Sequence, residues 1–317
     1  MKKTHLIITL AAFALIACTD KQKADGNTSD STNKEALAEE SDAPPVLAVY
    51  VKGQPVFAPF NEGDILAEGK VLKQTPEKYA KFIVNGSCFD ITYKEEKNKQ
   101  LANDNSYLNQ YLYQMADEMK GQTFTLTDTK AIDQYMAENG DMTAEGEIIA
   151  MDFIEGIIVS ADYLKGRDII KVEPTITEDP DEPQFSPATV AQVEKAVGAK
   201  MLKNRISHLF GDNCNFGVMT TQPNDKYGIA AWVLDDGKSV TVWTDTCEVE
   251  DGQIYWSNYD PDEYGEPNVI AVTKGEKGYD IFCTHMDNDE QANYILMRQE
   301  GVKMRRLDLG GFYQHYE

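Results

Sequence analysis

The chain is poor in cations and in catalytic signatures. Thirty Lys and Arg stand against 53 Asp and Glu in 317 residues, a net charge of -23. Lys303, Arg305 and Arg306 form its one basic cluster. A surface this acidic repels a phosphate backbone, which argues against nucleic acid as a partner. Histidine is scarce at four residues, and with His5 in the leader only His208, His285 and His315 remain, too few for a histidine-rich metal site. There is no C-x-x-C pair, which removes thioredoxin-like and zinc-ribbon readings. The patterns G-x-x-x-x-G-K-[ST], G-x-G-x-x-G, G-x-S-x-G and H-E-x-x-H are also missing, so nucleotide, dinucleotide, serine-hydrolase and zincin chemistry have no support and no cofactor is expected. Beyond the N-terminus no apolar run nears the roughly 20 residues of a membrane-spanning helix.

What is present begins with an address. Met1, Lys2 and Lys3 are a positive start, and Leu6 to Leu15 is an apolar stretch too short to span a bilayer, so residues 1–17 read as a signal peptide. Leu15, Ile16, Ala17 and Cys18 follow, and this tetrad resembles the lipobox of bacterial lipoproteins. The resemblance covers only the first eighteen residues. It implies that Cys18 becomes the first mature residue, carrying a thioether-linked diacylglycerol and an amide-linked acyl chain such as palmitate, enough for stable attachment to a bilayer. By that family's sorting habit an aspartate after the cysteine favours the inner membrane; Thr19 stands there, which implies the outer membrane. Residues 18–45 are rich in acids and small polar side chains and end in Pro44 and Pro45. They bury too little to offset the entropy of ordering and read as a disordered tether.

The full chain is 42% apolar, enough for the remainder to build real cores. An N-terminal α+β domain is expected over 46–172. Val46 to Val51, Val56 to Phe60, Lys70 to Thr75, Ala80 to Val84 and Cys88 to Tyr93 read as strands. Leu101, Leu108, Leu112, Met115 and Met119 form one helical stripe. Asp128 caps a shorter helix bearing Ile132, Tyr135 and Met136. Glu147 to Phe153 and Ile157 to Tyr163 read as strands again. The acids and prolines of 173–186 mark a linker. Over 187–317 a long helix is expected, opened by Ser186 and Pro187 and carried by Val190, Val193, Val197, Met201, Ile206 and Leu209 to Gly211. Eight strands follow: 216–221, 227–234, 239–249, 253–259, 268–273, 279–285, 293–299 and 302–309. Their hairpin turns suggest an antiparallel meander, bent or curled into a small barrel. The expected class is thus α+β.

Three constellations could carry function. Trp232, Trp243 and Trp256 lie on successive strands. Two-residue turns at Asp236-Gly237 and Asp251-Gly252 pair Leu234 with Ser239 and Cys247 with Trp256, putting all three indoles on one face opposite Ile229, Val233, Val240 and Val242. Such a face either fills the core or binds a glycan or small ligand. Cys88, Cys214, Cys247 and Cys283 are an even set outside the reducing cytoplasm, compatible with a disulfide. Cys283, His285 and Asp287 alternate at strand spacing and could supply thiolate, base and orienting carboxylate, or three ligands for a soft metal, and Cys214 lies near His208, the basis of a cysteine-hydrolase or amidase alternative. The acidic loop around Asp260, Asp262, Glu263 and Glu266 fails the EF-hand pattern because Tyr264 occupies a ligand position. The sequence favours an envelope lipoprotein with binding or structural duty over an enzyme, its partners being the bilayer through Cys18 and a glycan or envelope protein.

Overall fold

Several strands here are apolar along their whole length, and that happens when both faces of a strand are covered. In Val46–Val51, Val46, Ala48 and Tyr50 face one core while Leu47 faces another. The computed structural model describes residues 43–52, 63–67, 76–97, 121–139, 141–142, 148–149, 153–175, 183–211, 213–250, 253–254, 264–286 and 291–313. All of them belong to one compact unit.

The first wall is a closed six-stranded barrel. Its members are β1 (Val46–Val51), β2 (Asp64–Ala67), β3 (Tyr79–Val84), β4 (Ser87–Lys97), β5 (Gly121–Leu126) and β8 (Phe153–Ser160), ordered β1-β2-β5-β4-β3-β8. A two-stranded hairpin, β6 (Asp141–Met142) with β7 (Ile148–Ile149), stands apart. Inside lie Val46, Ala48, Ile65, Phe82, Phe124 and Ile158, joined by Ile132 and Met136 of α1 (Thr129–Asn139). The Asp128 carboxylate caps that helix, accepting the Lys130 N–H at 2.9 Å. Leu47, Ile83, Ile157 and Val159 point outward into a second core.

The second wall contains ten strands and nearly closes. Its members are β9 (Asp168–Ile170), β10 (Val172–Pro174), β11 (Lys203–Phe210), β12 (Cys214–Thr221), β13 (Tyr227–Asp235), β14 (Val240–Glu250), β16 (Asn268–Gly275), β17 (Gly278–Met286), β18 (Gln291–Glu300) and β19 (Lys303–Tyr313). The order is β10-β11-β12-β13-β14-β19-β18-β17-β16-β9, with β15 (Gln253–Ile254) attached to β14. Its edge strands β9 and β10 are one stretch of chain divided at Lys171, so residues 168–174 pair with β16 on one side and β11 on the other. Phe216, Trp232, Leu234, Ile281, Cys283, Ile295 and Met297 fill the interior. The outer face buries Ala231 and Val233 under α2 (Pro187–Val197), and Ile270, Ala271, Phe282 and Leu296 against the first barrel. At Gly217 an added Cβ would lie 2.1 Å from the Arg205 carbonyl oxygen, beside the bulge between Ile206 and His208.

The architecture corrects the expected α+β class. Among the described residues it is nineteen strands against two eleven-residue α-helices, a mostly β protein. The long helix from Pro187 to Leu209 is not formed. Ser186 caps its start as expected, but Gly198 takes φ +78° and closes it, its N–H donating to Glu194 O at 2.8 Å. Ile206 and Leu209 belong to β11 instead. The gap of five from Met201 to Ile206 breaks the helical period. The Leu101 to Met119 helix and the strands expected at 56–60 and 70–75 lie outside the described residues. The later strands do not form the single antiparallel meander expected: β11 to β14 and β16 to β19 are two separate meanders, joined where β14 meets β19 in parallel, and the turn after β13 has four residues. Asp236 Oδ1 accepts the Lys238 and Ser239 N–H groups at 2.9 and 2.7 Å, and Leu234 pairs with Thr241 rather than Ser239. Because that shift is two residues, Trp232 and Trp243 keep a common face.

Two polar ties position the walls against each other. Asn85, in the turn between β3 and β4, accepts the Val172 N–H on its side-chain oxygen at 2.7 Å and donates its own N–H to Ile270 O at 3.3 Å. Asp280, buried on the outer face of β17, takes the Tyr163 hydroxyl at 2.8 Å, Arg298 at 2.9 and 3.0 Å and Arg167 at 3.1 Å. Burial beside the Asp280 carboxylate holds the Tyr163 phenol well above its usual range.

Candidate functional site

Strand alternation brings odd-numbered residues of β14 and β17, and even-numbered residues of β13 and β19, to the interior of the second wall. Trp232 and Trp243 pair directly across β13 and β14, their rings 5.3 Å apart and nearly perpendicular. Trp232 is fully buried, whereas Trp243 is half-buried with the Arg306 guanidinium 5.4 Å over its ring. Arg306 Nε also pairs with Asp308 Oδ1 at 2.9 Å.

Tyr264, from the irregular segment before β16, inserts its phenol beside these indoles. It accepts the Trp232 Nε1–H at 2.8 Å and donates to Asp245 Oδ2 at 3.2 Å. Its ring stacks on His285 at 5.2 Å, and His285 stands edge-on to Trp232. His285 Nε2 lies 3.1 Å from Gly265 O, and Glu266 pairs with Arg205 at 3.1 Å. Burial, aided by the nearby Asp245 charge, pushes the Tyr264 phenol far up. The neutral hydroxyl is thus kept as both donor and acceptor, linking indole to carboxylate.

The remaining sequence candidates separate. Trp256, Asp287, Cys18 and His315 lie outside the described residues. Cys283 and His285 share the interior face, but the Cys283 thiol sits 3.8 Å from Ile295 O while His285 engages Tyr264 and Gly265. Burial pushes the Cys283 and Cys214 thiols up to about 12. At neutral pH both are protonated and poor nucleophiles. His208 faces the interior against Phe216, with Nδ1 2.9 Å from Ser207 Oγ, and burial pushes it down to about 4. A neutral imidazole held against Phe216 and Ser207 is a packing group. The four described cysteines are free thiols, with Cys88 exposed, so the described structure holds no disulfide. No cluster of three metal-ligating side chains occurs among the described residues.

Sequence reasoning passed over Tyr264 and Arg306. In the sequence Tyr264 stands out only as the residue that spoils a calcium loop, and that misfit is the available signal: a large aromatic ring in an acidic loop has to go somewhere apolar. Arg306 stood out only as a surface cation, because its meeting with Trp243 depends on β19 coming beside β14, sixty residues away. No protein-family model, no curated protein and no solved structure matches the chain.

Proposed function

We propose that the chain is a bacterial envelope lipoprotein, anchored through acylated Cys18 in the outer membrane, whose two β walls bind a partner at the end of an acidic tether rather than catalyse a reaction. The anchoring rests on the positive start, short apolar stretch and lipobox of residues 1–18. Binding over catalysis is carried by one observation: the thiols a cysteine hydrolase would need, Cys214 and Cys283, are buried and held protonated, their affinity for the proton raised to about 12. Trp232 and Trp243 serve mainly as support, since Trp232 is fully buried and the Trp243 ring already lies under Arg306. A glycan would have to displace that guanidinium to stack there.

Two measurements test this reading. A fatty-acid probe fed to cells should label the wild type and miss Cys18→Ala; equal labelling of both overturns the anchor. Iodoacetamide on the native protein should modify Cys88 and spare Cys214 and Cys283. Rapid alkylation of Cys283 would restore the hydrolase alternative.

A further inference from the structure

Strand direction gathers four connections at one end of the second wall. β16 and β17 join at 276–277, β18 and β19 at 301–302, and β13 and β14 at 236–239. These lie side by side along the rim, because the wall runs β13-β14-β19-β18-β17-β16-β9 and Val242 of β14 meets Lys303 of β19. The fourth is the loop 161–167 that leads into β9. Lys274 pairs with Asp168, and an added Cβ on Gly275 would lie 3.3 Å from Arg167 Cγ, so this loop stands beside the turn at 276–277.

The chain from Cys18 enters the folded body at the same end. Ala43, Pro44 and Pro45 are buried, and the Tyr79 hydroxyl donates to Pro44 O at 2.8 Å. Tyr79 pairs with Ser160, whose hydroxyl oxygen accepts the Tyr163 N–H at 3.2 Å, so the entry point lies beside the 161–167 loop. Cys18 and Ala43 are 25 residues apart, which is at most roughly 85 Å at about 3.4 Å per residue. An acyl anchor on Cys18 keeps the body within that distance of a bilayer and attaches it by this end.

Charge and exposure set this end apart. Each connection carries an exposed lysine: Lys165, Lys238, Lys277 and, next to 301–302, Lys303. Lys165 pairs with Asp162 at 2.6 Å, whereas Lys238, Lys277 and Lys303 enter no ion pair among the described residues. Of the acids here, Glu300 pairs with Arg305 at 3.4 Å, and Asp236 turns into its own loop to accept the Lys238 and Ser239 N–H groups. Over 161–168, 235–240, 274–279 and 299–305 seven cations meet six acids, on a chain whose net charge is -23. The acidic excess lies elsewhere, so an anionic surface repels this end least. Among the lysines Val302 is 70% exposed on a hairpin tip.

We propose that this end of the second wall docks on the anionic phospholipid bilayer that holds the acyl anchor, with Lys238, Lys277 and Lys303 on headgroup phosphates and Val302 among the upper acyl carbons. Three lysines and one valine bind a bilayer weakly by themselves. The anchor supplies the effective concentration at which weak contacts persist. At physiological salt, charges more than about 8 Å away are largely screened, so the acidic remainder does not undo the contact. This orientation rests on the acylation of Cys18 proposed above, and it turns the opposite end of the wall away from the bilayer.

The test uses the acylated full chain isolated from cells and reconstituted in vesicles of phosphatidylglycerol and phosphatidylcholine. One preparation carries photoreactive p-benzoylphenylalanine in place of Val302. The control carries it in place of Leu202, which is 73% exposed but precedes β11 at the opposite end. Light should join position 302 to lipid at least about fivefold more than position 202. Lys238→Gln, Lys277→Gln and Lys303→Gln combined should cut that adduct at least about fivefold, since one lysine near an anionic surface is worth roughly a factor of five. The melting temperature should not change. Vesicles of phosphatidylcholine alone should lower the adduct equally with the lysines intact, which decides the matter if the triple variant misfolds. Equal adducts from both positions, none from 302, or no fall on removing either the lysines or the anionic lipid would each overturn the docking. The mass of Cys18 in the same preparation separates the two claims: an acylated chain without the adducts defeats the docking alone, and a bare Cys18 defeats the anchor with it.

Discussion

Acidification should strip stability from this protein through one interior histidine. His208 is 4% exposed and lies against Phe216, inside the second wall. Burial lowers its affinity for the proton from the ordinary imidazole value of 6.5 to about 4. The folded state therefore holds it neutral, while the unfolded chain protonates it below about 6.5. Between those two values the unfolded state binds more protons, so stability falls as pH falls, and the loss saturates below about 4. A separation of roughly 2.5 units corresponds to about 3 kcal/mol. Carboxylates also respond in this range, so the measurement is a difference. Urea unfolding of wild type and His208→Phe is followed from pH 7.5 to pH 4. The phenyl ring keeps the stacking volume and cannot titrate, so the variant should lose about 3 kcal/mol less than wild type over the interval. The divergence should begin near pH 6.5. Parallel curves would show that His208 titrates normally and is not held in a dry interior.

Other perturbations follow from the same contacts. Trp232→Ala should cost about 3 to 5 kcal/mol and Trp232→Phe about 1 to 2, the latter from the lost bond to Tyr264, both read from denaturant midpoints. Equal costs would mean that the Nε1–H to hydroxyl bond carries nothing. Asp280→Ala leaves Arg298 and Arg167 facing a vacated carboxylate site and should cost about 3 to 5 kcal/mol; a loss below about 1 kcal/mol would make that network a surface feature. Gly217→Ala forces a methyl group onto the Arg205 carbonyl and should cost at least about 1 to 3 kcal/mol, or shift the β11 bulge visibly in amide chemical shifts. An unchanged melting temperature would refute the close approach.

The sequence by itself determined features that depend on neighbours in the chain. Strand alternation and turn residues marked β12, β13, β14 and β16 to β19 because side chains two apart must share a face. Ser186 with Pro187 and the Asp128 carboxylate marked two helix starts, since a cap acts within three residues. Trp232 and Trp243 were placed on one face even though the turn between them has four residues rather than two, because a shift of two preserves the face. The end of α2 was also written locally, in Gly198, but the apolar spacing beyond it imitated a helix and hid the change to β11. Tertiary structure alone decided which strand edges meet. Closure of the first barrel by β1 and β8, division of residues 168–174 between two edges, burial of Tyr264 beside Trp232 and the parallel joint of β14 with β19 all join residues far apart in sequence. Those pairings are selected by the shared burial of two faces and the closing of loops, quantities that no local window of side chains contains.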